Sequence, residues 1–214
     1  MKILSINIAQ PKNMVIARKT IQTGIFKESA GKSVFISKEG LTGDTICNPK
    51  YHGGIDQAVY IYGQRDYDWW QKVLDKKLMP GTFGENLTIS DLESSDYLIG
   101  DKLFIAGVIL EVTAPRIPCA TFATKMADPK FVKKFRNAER PGFYCRVLKE
   151  GFIGIGAQIS IEKFSGPTVS VLEMFREGFE HVKTEQELKR YLAAPIAVRD
   201  RRKKEQKLKN LLSR

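Results

Sequence analysis

Reactive residue types gather at a few places along the chain. The run Pro115-Arg116-Ile117-Pro118-Cys119 holds a thiol close behind an arginine. Two prolines restrict the backbone on either side of Ile117, so Cys119 is fixed in direction rather than carried on a loose loop. Pro118 is a favoured residue for a first helical turn, and a helix is expected to start there. A helix N-terminus beside an arginine lowers a thiol pKa. The resulting thiolate would suit a soft metal or a nucleophilic reaction. A buried structural cysteine is the alternative, and the commoner fate of that residue.

A second constellation is Tyr51-His52-Gly53-Gly54-Ile55-Asp56-Gln57-Ala58. Paired glycines imply a sharp turn or a close backbone approach. The N–H groups of such a turn can hold an anion such as phosphate. A plain tight turn with a locally bonded histidine is the simpler alternative. In Phe83-Gly84-Glu85-Asn86, Glu85 is a candidate acid or base, and Asn86 a candidate donor to an anion or carbonyl. Lys27 follows a β-branched run and could point into a site, although most such lysines are solvated. Cys145 reads as core, with Arg140 or Arg146 as further anion contacts. Cys47 lies in a loop and is assigned nothing, and His181 reads as exposed.

The elements that must position these residues are mostly strands over residues 1–164. Turn signals are dense there and apolar runs are short. Strands are expected at Ile3 to Ala9, Ser33 to Ile36, Ala58 to Tyr62, Asn86 to Ile89, Phe143 to Leu148 and Gln158 to Ile161. Lys102 to Ala106 and Val108 to Thr113 read as a hairpin with a bulge at Gly107. Gln64 to Lys76 reads as a helix, with Tyr67, Trp70 and Leu74 at helical spacing, ended by Pro80-Gly81. After Ser165-Gly166-Pro167 the pattern changes. Val169 to Phe179, Thr184 to Tyr191 and Ile196 to Leu212 form a C-terminal three-helix segment, residues 165–214, with a capping box at Thr184-Glu185-Gln186-Glu187. So small a segment is expected to pack on the first domain or on a second subunit, which makes a homodimer plausible.

Composition narrows the classes. The chain has 214 residues and ordinary apolar and charged fractions, which excludes wholesale disorder. Its apolar stretches are too short to span a bilayer, and the N-terminus alternates like a strand rather than a signal peptide, so a cytoplasmic location is expected. An odd, sparse set of cysteines is no disulfide framework and matches no zinc spacing. The formal charge is +11, of which the run from Arg199 to Arg214, eight basic residues against two acidic, supplies +6. With Leu208, Leu211 and Leu212 on a possible stripe, this tail reads as a solvated amphipathic helix. It lacks the interleaved aromatics of a nucleic-acid binder.

Taken in order, His52-Gly53-Gly54 with Gln57-Ala58-Val59, Phe83-Gly84-Glu85-Asn86, Ile99-Gly100-Asp101, Pro115-Arg116-x-Pro118-Cys119 and Gly142-Phe143-Tyr144-x-Arg146-Val147-Leu148 resemble the MOSC domain. Within it the chain is most similar to the bacterial YiiM type, whose members add a short three-helix C-terminal segment. The resemblance implies a mainly β fold with peripheral helices, a β-barrel of the pyruvate-kinase type. It implies molybdenum cofactor (molybdopterin carrying Mo), with Cys119 as the metal ligand. The implied activity is reduction of N-hydroxylated compounds, including 6-hydroxylaminopurine and related base analogues, to amines. Lys27, Arg116 and Asn86 would then hold the cofactor's phosphate or pterin. Gly53 and Gly54 would admit it to the backbone, and His52 would bond or deliver protons near the metal. No flavin, haem or iron–sulfur motif is present, so electrons would come from a separate reductase, for which an acidic surface would suit the basic chain. The run Ala120-Thr121-Phe122-Ala123 departs from bulkier or more polar relatives and leaves the substrate pocket's shape open. Three other readings compete: a cofactor carrier without turnover, a metal-free enzyme with Cys119 as nucleophile and His52 as base, and a nucleic-acid binder acting through the tail.

Overall fold

Side chains alternate along a strand, so a strand buried on both sides feeds two different cores. That rule organises this molecule, a computed structural model describing residues 1–48, 53–180 and 184–213. The first half runs β1 (Ile3–Ile8), β2 (Lys12–Ile16), β3 (Lys19–Thr23), β4 (Glu28–Ser29), β5 (Ser33–Ser37), β6 (Gly40–Leu41), β7 (Val59–Gly63), α1 (Gln64–Leu74) and β8 (Leu87–Ile89). The second runs β9 (Lys102–Ile105), β10 (Val108–Pro115), α2 (Ala120–Lys125), α3 (Phe131–Ala138), β11 (Phe143–Lys149), β12 (Gly151–Gly154), β13 (Ile159–Glu162), α4 (Val171–Glu180), α5 (Glu185–Ala193) and α6 (Val198–Leu212).

The main sheet has the order β13-β9-β10-β11-β7-β8-β1-β4. Its pairs are antiparallel except β7 with β8. The expected barrel is present as a curled sheet rather than a continuous closed ladder. A single bridge, Lys2 with Gln158, brings the β1 end to the β13 end, helped by Ile159 N–H donating to Met1 O at 3.0 Å. Two smaller sheets, β12-β5-β6 and the hairpin β2-β3, complete the strands. The hairpin turns through Ala17 and Arg18 at φ 47° and 67°. Without the glycine or asparagine that usually marks such a turn, it left no sequence signal.

β7 shows the division of cores most clearly. Val59 and Ile61 enter an aliphatic cluster with Ile3, Leu87, Leu103, Val112 and Cys145. Tyr60 and Tyr62 enter an aromatic cluster with Tyr67, Trp70, Phe83, Phe122, Phe131 and Phe135. Helix α1 forms because Tyr67 and Trp70 recur at helical spacing on one buried face. It ends at Asp75 in the left-handed conformation.

Some expectations needed correction. Gly107 makes no bulge: with Ala106 it forms a two-residue turn at φ 48° and 89°, and Val108 pairs directly with Ile105. Gly151 and Gly154 bound β12, a strand the sequence did not lead one to expect. Helix α2 begins at Ala120 rather than Pro118, and Cys119 is its N-cap residue. The C-terminal helices follow the expected pattern, including the full Thr184–Glu187 capping box. Val171, Met174, Tyr191 and Ala194 pack into the aliphatic core itself. On α6, Leu211 and Leu212 stay exposed. The buried member is Lys204, whose ammonium pairs with Glu177 at 2.8 Å and lies 4.5 Å from the Tyr191 ring centre. Among the described residues, no helix is long and apolar enough to cross a membrane.

Candidate functional site

A cavity of about 370 Å³ opens between the ends of several strands. This lies within the range of small-molecule and cofactor sites. Lys27, Gly53, Asn86, Arg116 and Cys119 all line it, although they come from four separate stretches of sequence. Cys119 stands where the chain leaves β10 and enters α2. Its carbonyl accepts from Phe122 and Ala123 N–H, each at 3.1 Å. Phe122 is fully buried in the aromatic cluster and anchors that turn. The thiol is half-buried and outside any disulfide.

Arg116 is buried. Its guanidinium lies 4.1 Å from the Phe122 ring centre and 5.2 Å from that of Tyr60. Nη1 donates to Phe83 O. This stacking fixes the cation in the cavity wall between thiol and aromatic core. Gly84 turns beside it at φ +75°, where a Cβ would crowd Ile25 at 3.2 Å and lie in ordinary contact with Arg116 Nη1 at 3.7 Å.

Opposite lies a polar wall. Lys27 pairs with Asp44, both side chains nearly buried. Burial lowers the Lys27 pKa, and Asp44 opposes that shift. Asp44 also accepts from Ala9 N–H and from Asn86 Nδ2, each at 2.8 Å. The Asn86 amide is fully engaged: Oδ1 accepts from Tyr60 N–H at 3.0 Å, and Nδ2 also donates to Asn7 O at 3.3 Å. Asn86 therefore orders the wall and the β7 edge instead of offering a free donor. Among the described lining residues, the cavity's charges are Lys27, Arg116 and Asp44, a small positive excess suited to an anionic ligand.

Gly53 and Gly54 both turn in the left-handed region, at φ 75° and 81°. Only Gly53 reaches the cavity, where a Cβ would strike Ile46 at 2.4 Å. Gly54 lies outside the lining, capping the 3-10 turn Ile55–Gln57. His52 lies outside the described residues, as does His181. Glu85 does not face the cavity. It is fully buried, and its Oε1 accepts from Tyr67 Oη and Gly81 N at 2.6 Å and from Thr88 Oγ1 at 2.8 Å. It braces the loop before β8. Arg140 and Arg146 also leave the anion role. Arg140 pairs with Asp66 at 3.0 Å and Glu93 at 2.8 Å, and Arg146 with Asp56 at 3.0 Å and Glu111 at 3.3 Å. Cys145 is fully buried, and burial pushes its thiol well up.

Sequence reasoning missed several contributors. Cys47 and Tyr144 line the cavity, as does Gln57, whose buried Oε1 has no hydrogen-bond partner among the described residues. Lys125 stands behind the wall, its ammonium donating to Ile25 O at 2.8 Å and Gly81 O at 2.7 Å. Burial lowers its pKa to about 7, with Glu85 opposing. Gln57 lies within the glycine motif and Tyr144 within the Gly142 motif, each without an assigned role. The others meet through contacts distant in sequence.

A curled sheet bearing a cavity, with one thiol at a helix cap and a fixed arginine in its wall, defines a sheet-rich protein with a candidate ligand site. The MOSC domain profile matches residues 48–160, and the chain belongs to the MOSC-domain family. It is 32% identical over 191 residues to the YflK protein of Bacillus subtilis, covering 89% of this chain and 86% of that one. It is also 32% identical over 160 residues to a protein of Gibberella moniliformis named reductase, covering 73% of this chain but only 28% of the other. The fold matches the crystal structure of YiiM from Geobacillus stearothermophilus with a TM-score of 0.78 at 24% identity, over 97% of this chain and 98% of that one.

Proposed function

We propose that the protein binds molybdenum cofactor through Cys119 and reduces N-hydroxylated compounds, such as hydroxylaminopurines, to amines. The observation carrying this reading is the convergence of Cys119, Arg116, Lys27 and Gly53 on one cavity from distant parts of the chain. The donor set suits a metal that arrives with its own ligands. No group of three or more His, Cys, Asp or Glu residues able to hold a bare ion occurs among the described residues. A single thiolate is a soft donor that would complete such a centre. The Oε1 of Gln57, buried and without a hydrogen-bond partner among the described residues, offers an acceptor for a pterin N–H. Lys27 and Arg116 would hold the anionic part of the group, and Asn86 would keep Asp44 and Lys27 in place.

When bound, the cofactor would supply the two-electron chemistry that removes oxygen from an N–OH group. The balance is R–NH–OH plus two protons and two electrons giving R–NH2 and water, with the electrons from a separate reductase. The Gibberella relative is named a reductase, which is in keeping with redox chemistry, although the match covers only 28% of it. The protein's own part is to orient the substrate, exclude bulk water and provide protons.

The test is the molybdenum and pterin content of protein purified from a cofactor-competent host, beside Cys119→Ser. Near-stoichiometric molybdenum in the wild type, lost in the variant, is expected. Bound pterin without turnover on any added reductase would move the assignment to a cofactor carrier. Neither molybdenum nor pterin in either protein, even after reconstitution, would overturn the reading.

A further inference from the structure

The tyrosines of the aromatic wall are not equivalent. Tyr60 donates to Pro141 O at 2.8 Å. Tyr62 donates to Arg140 O and accepts from Trp70 Nε1, each at 2.9 Å. Tyr67 donates to Glu85 at 2.6 Å. All three rings are buried and their hydroxyls bond inside the protein.

Tyr144 differs on each count. It lies on β11 between Phe143 and Cys145, which are fully buried in the aliphatic core. Alternation sends Tyr144 to the other face, where its ring lies 5.0 Å from that of Tyr60. There it lines the cavity with Arg116 and Cys119 and remains half-buried. Its hydroxyl is the one in this wall that bonds no described residue.

A donor left open beside the thiol suits a reaction that must bring protons to a departing oxygen. We propose that Tyr144 is a catalytic residue: its hydroxyl holds the N–OH group of the substrate beside Cys119 and donates one of the two protons consumed. The inference rests on the N-hydroxyl reductase reading and deepens it. In the step, the N–O bond breaks as two electrons enter, the phenol proton passes to the departing hydroxyl to form water, and a second proton from solvent goes to the nitrogen to complete the amine. The two electrons come from the separate redox partner. The phenolate left behind recovers its proton from water at the cavity mouth. Arg116 stabilises that phenolate, and burial otherwise holds the Tyr144 hydroxyl in its protonated, donating form at neutral pH.

Tyr144→Phe tests the assignment, since phenylalanine keeps the ring against Tyr60. The measurements are molybdenum content, melting temperature, kcat for 6-hydroxylaminopurine with supplied electrons, and calorimetric Kd for that compound against its amine product. Unchanged molybdenum content and melting temperature are expected, with kcat lower by roughly 10²-fold, the lower range for a positioned general acid. The binding preference for the N-hydroxylated compound over the amine is expected to disappear. A kcat within about twofold of wild type, or a binding preference equal in both proteins, overturns the role of Tyr144. Absence of molybdenum from the wild type instead overturns the cofactor reading. The calorimetric comparison still decides for or against Tyr144 in that case, and failure of both compounds to bind counts against it.

Discussion

The two hydrophobic clusters hold a cysteine each and treat it oppositely. The cluster inside the curled sheet is largely aliphatic and encloses Cys145 completely. The cluster under α1, α2 and α3 is largely aromatic, and Cys119 packs only against its edge. In the first, burial raises the thiol pKa and denies access. In the second, rings hold a short helix so that its capping residue meets a cavity. Branched aliphatic side chains fill a sheet interior well, while large flat rings buttress helices and seat a guanidinium. One core closes the fold and the other presents the site.

The largest test of that contrast is Phe83→Ala against Leu103→Ala. Phe83 stacks at 4.5 Å on Tyr62 and meets Tyr67 at 5.0 Å. Its truncation should cost about 3–5 kcal/mol and that of Leu103 about 2–5 kcal/mol, measured by urea unfolding. Only Phe83→Ala should also reduce the share of protein carrying the proposed cofactor. Equal losses of cofactor in the two variants would abolish the division of labour.

A smaller effect follows from Asp66, buried on α1 beside the aromatic cluster. Desolvation raises its pKa to about 6, opposed by Ser94 and by Arg140. The folded value lies above the unfolded one, so the cost of the ionised form is fully present above pH 6. It is relieved as pH falls from about 6 to about 4. At about 1.4 kcal/mol per unit, wild type should gain roughly 2–3 kcal/mol relative to Asp66→Asn between pH 7 and pH 4. Parallel stability curves for the two proteins would mean that Asp66 is effectively solvated.

The cysteines give the smallest and most direct comparison. Cys145→Ser places a hydroxyl in an aliphatic interior and should cost about 1–3 kcal/mol. Cys119→Ser should change stability by no more than about 0.5 kcal/mol, while removing the proposed metal ligand. A reversed order in thermal melts would show that Cys119 is the structural thiol.

Much of this was legible in advance. The alternation of Ile3 to Ile8, the helical spacing of Tyr67 and Trp70, and the capping box at Thr184 are local patterns, and local patterns set local structure. Proline and glycine around Cys119 and Gly53 likewise marked backbone that had to be fixed or turned, and both residues line the cavity. What the sequence could not settle is what each polar side chain meets across the fold. Glu85 and Asn86 are neighbours in one motif, yet one braces a loop and the other ties Asp44 to the sheet. Lys125 carried no signal and Tyr144 stood in a motif without a role, because their surroundings come from strands and loops far along the chain. The sequence by itself determined most of the elements, the strand-rich class and the thiol at a constrained turn, since these follow from periodicity and backbone restriction. Tertiary structure alone decided which side chains are buried, paired or left open, because desolvation and charge pairing depend on neighbours that only folding brings together.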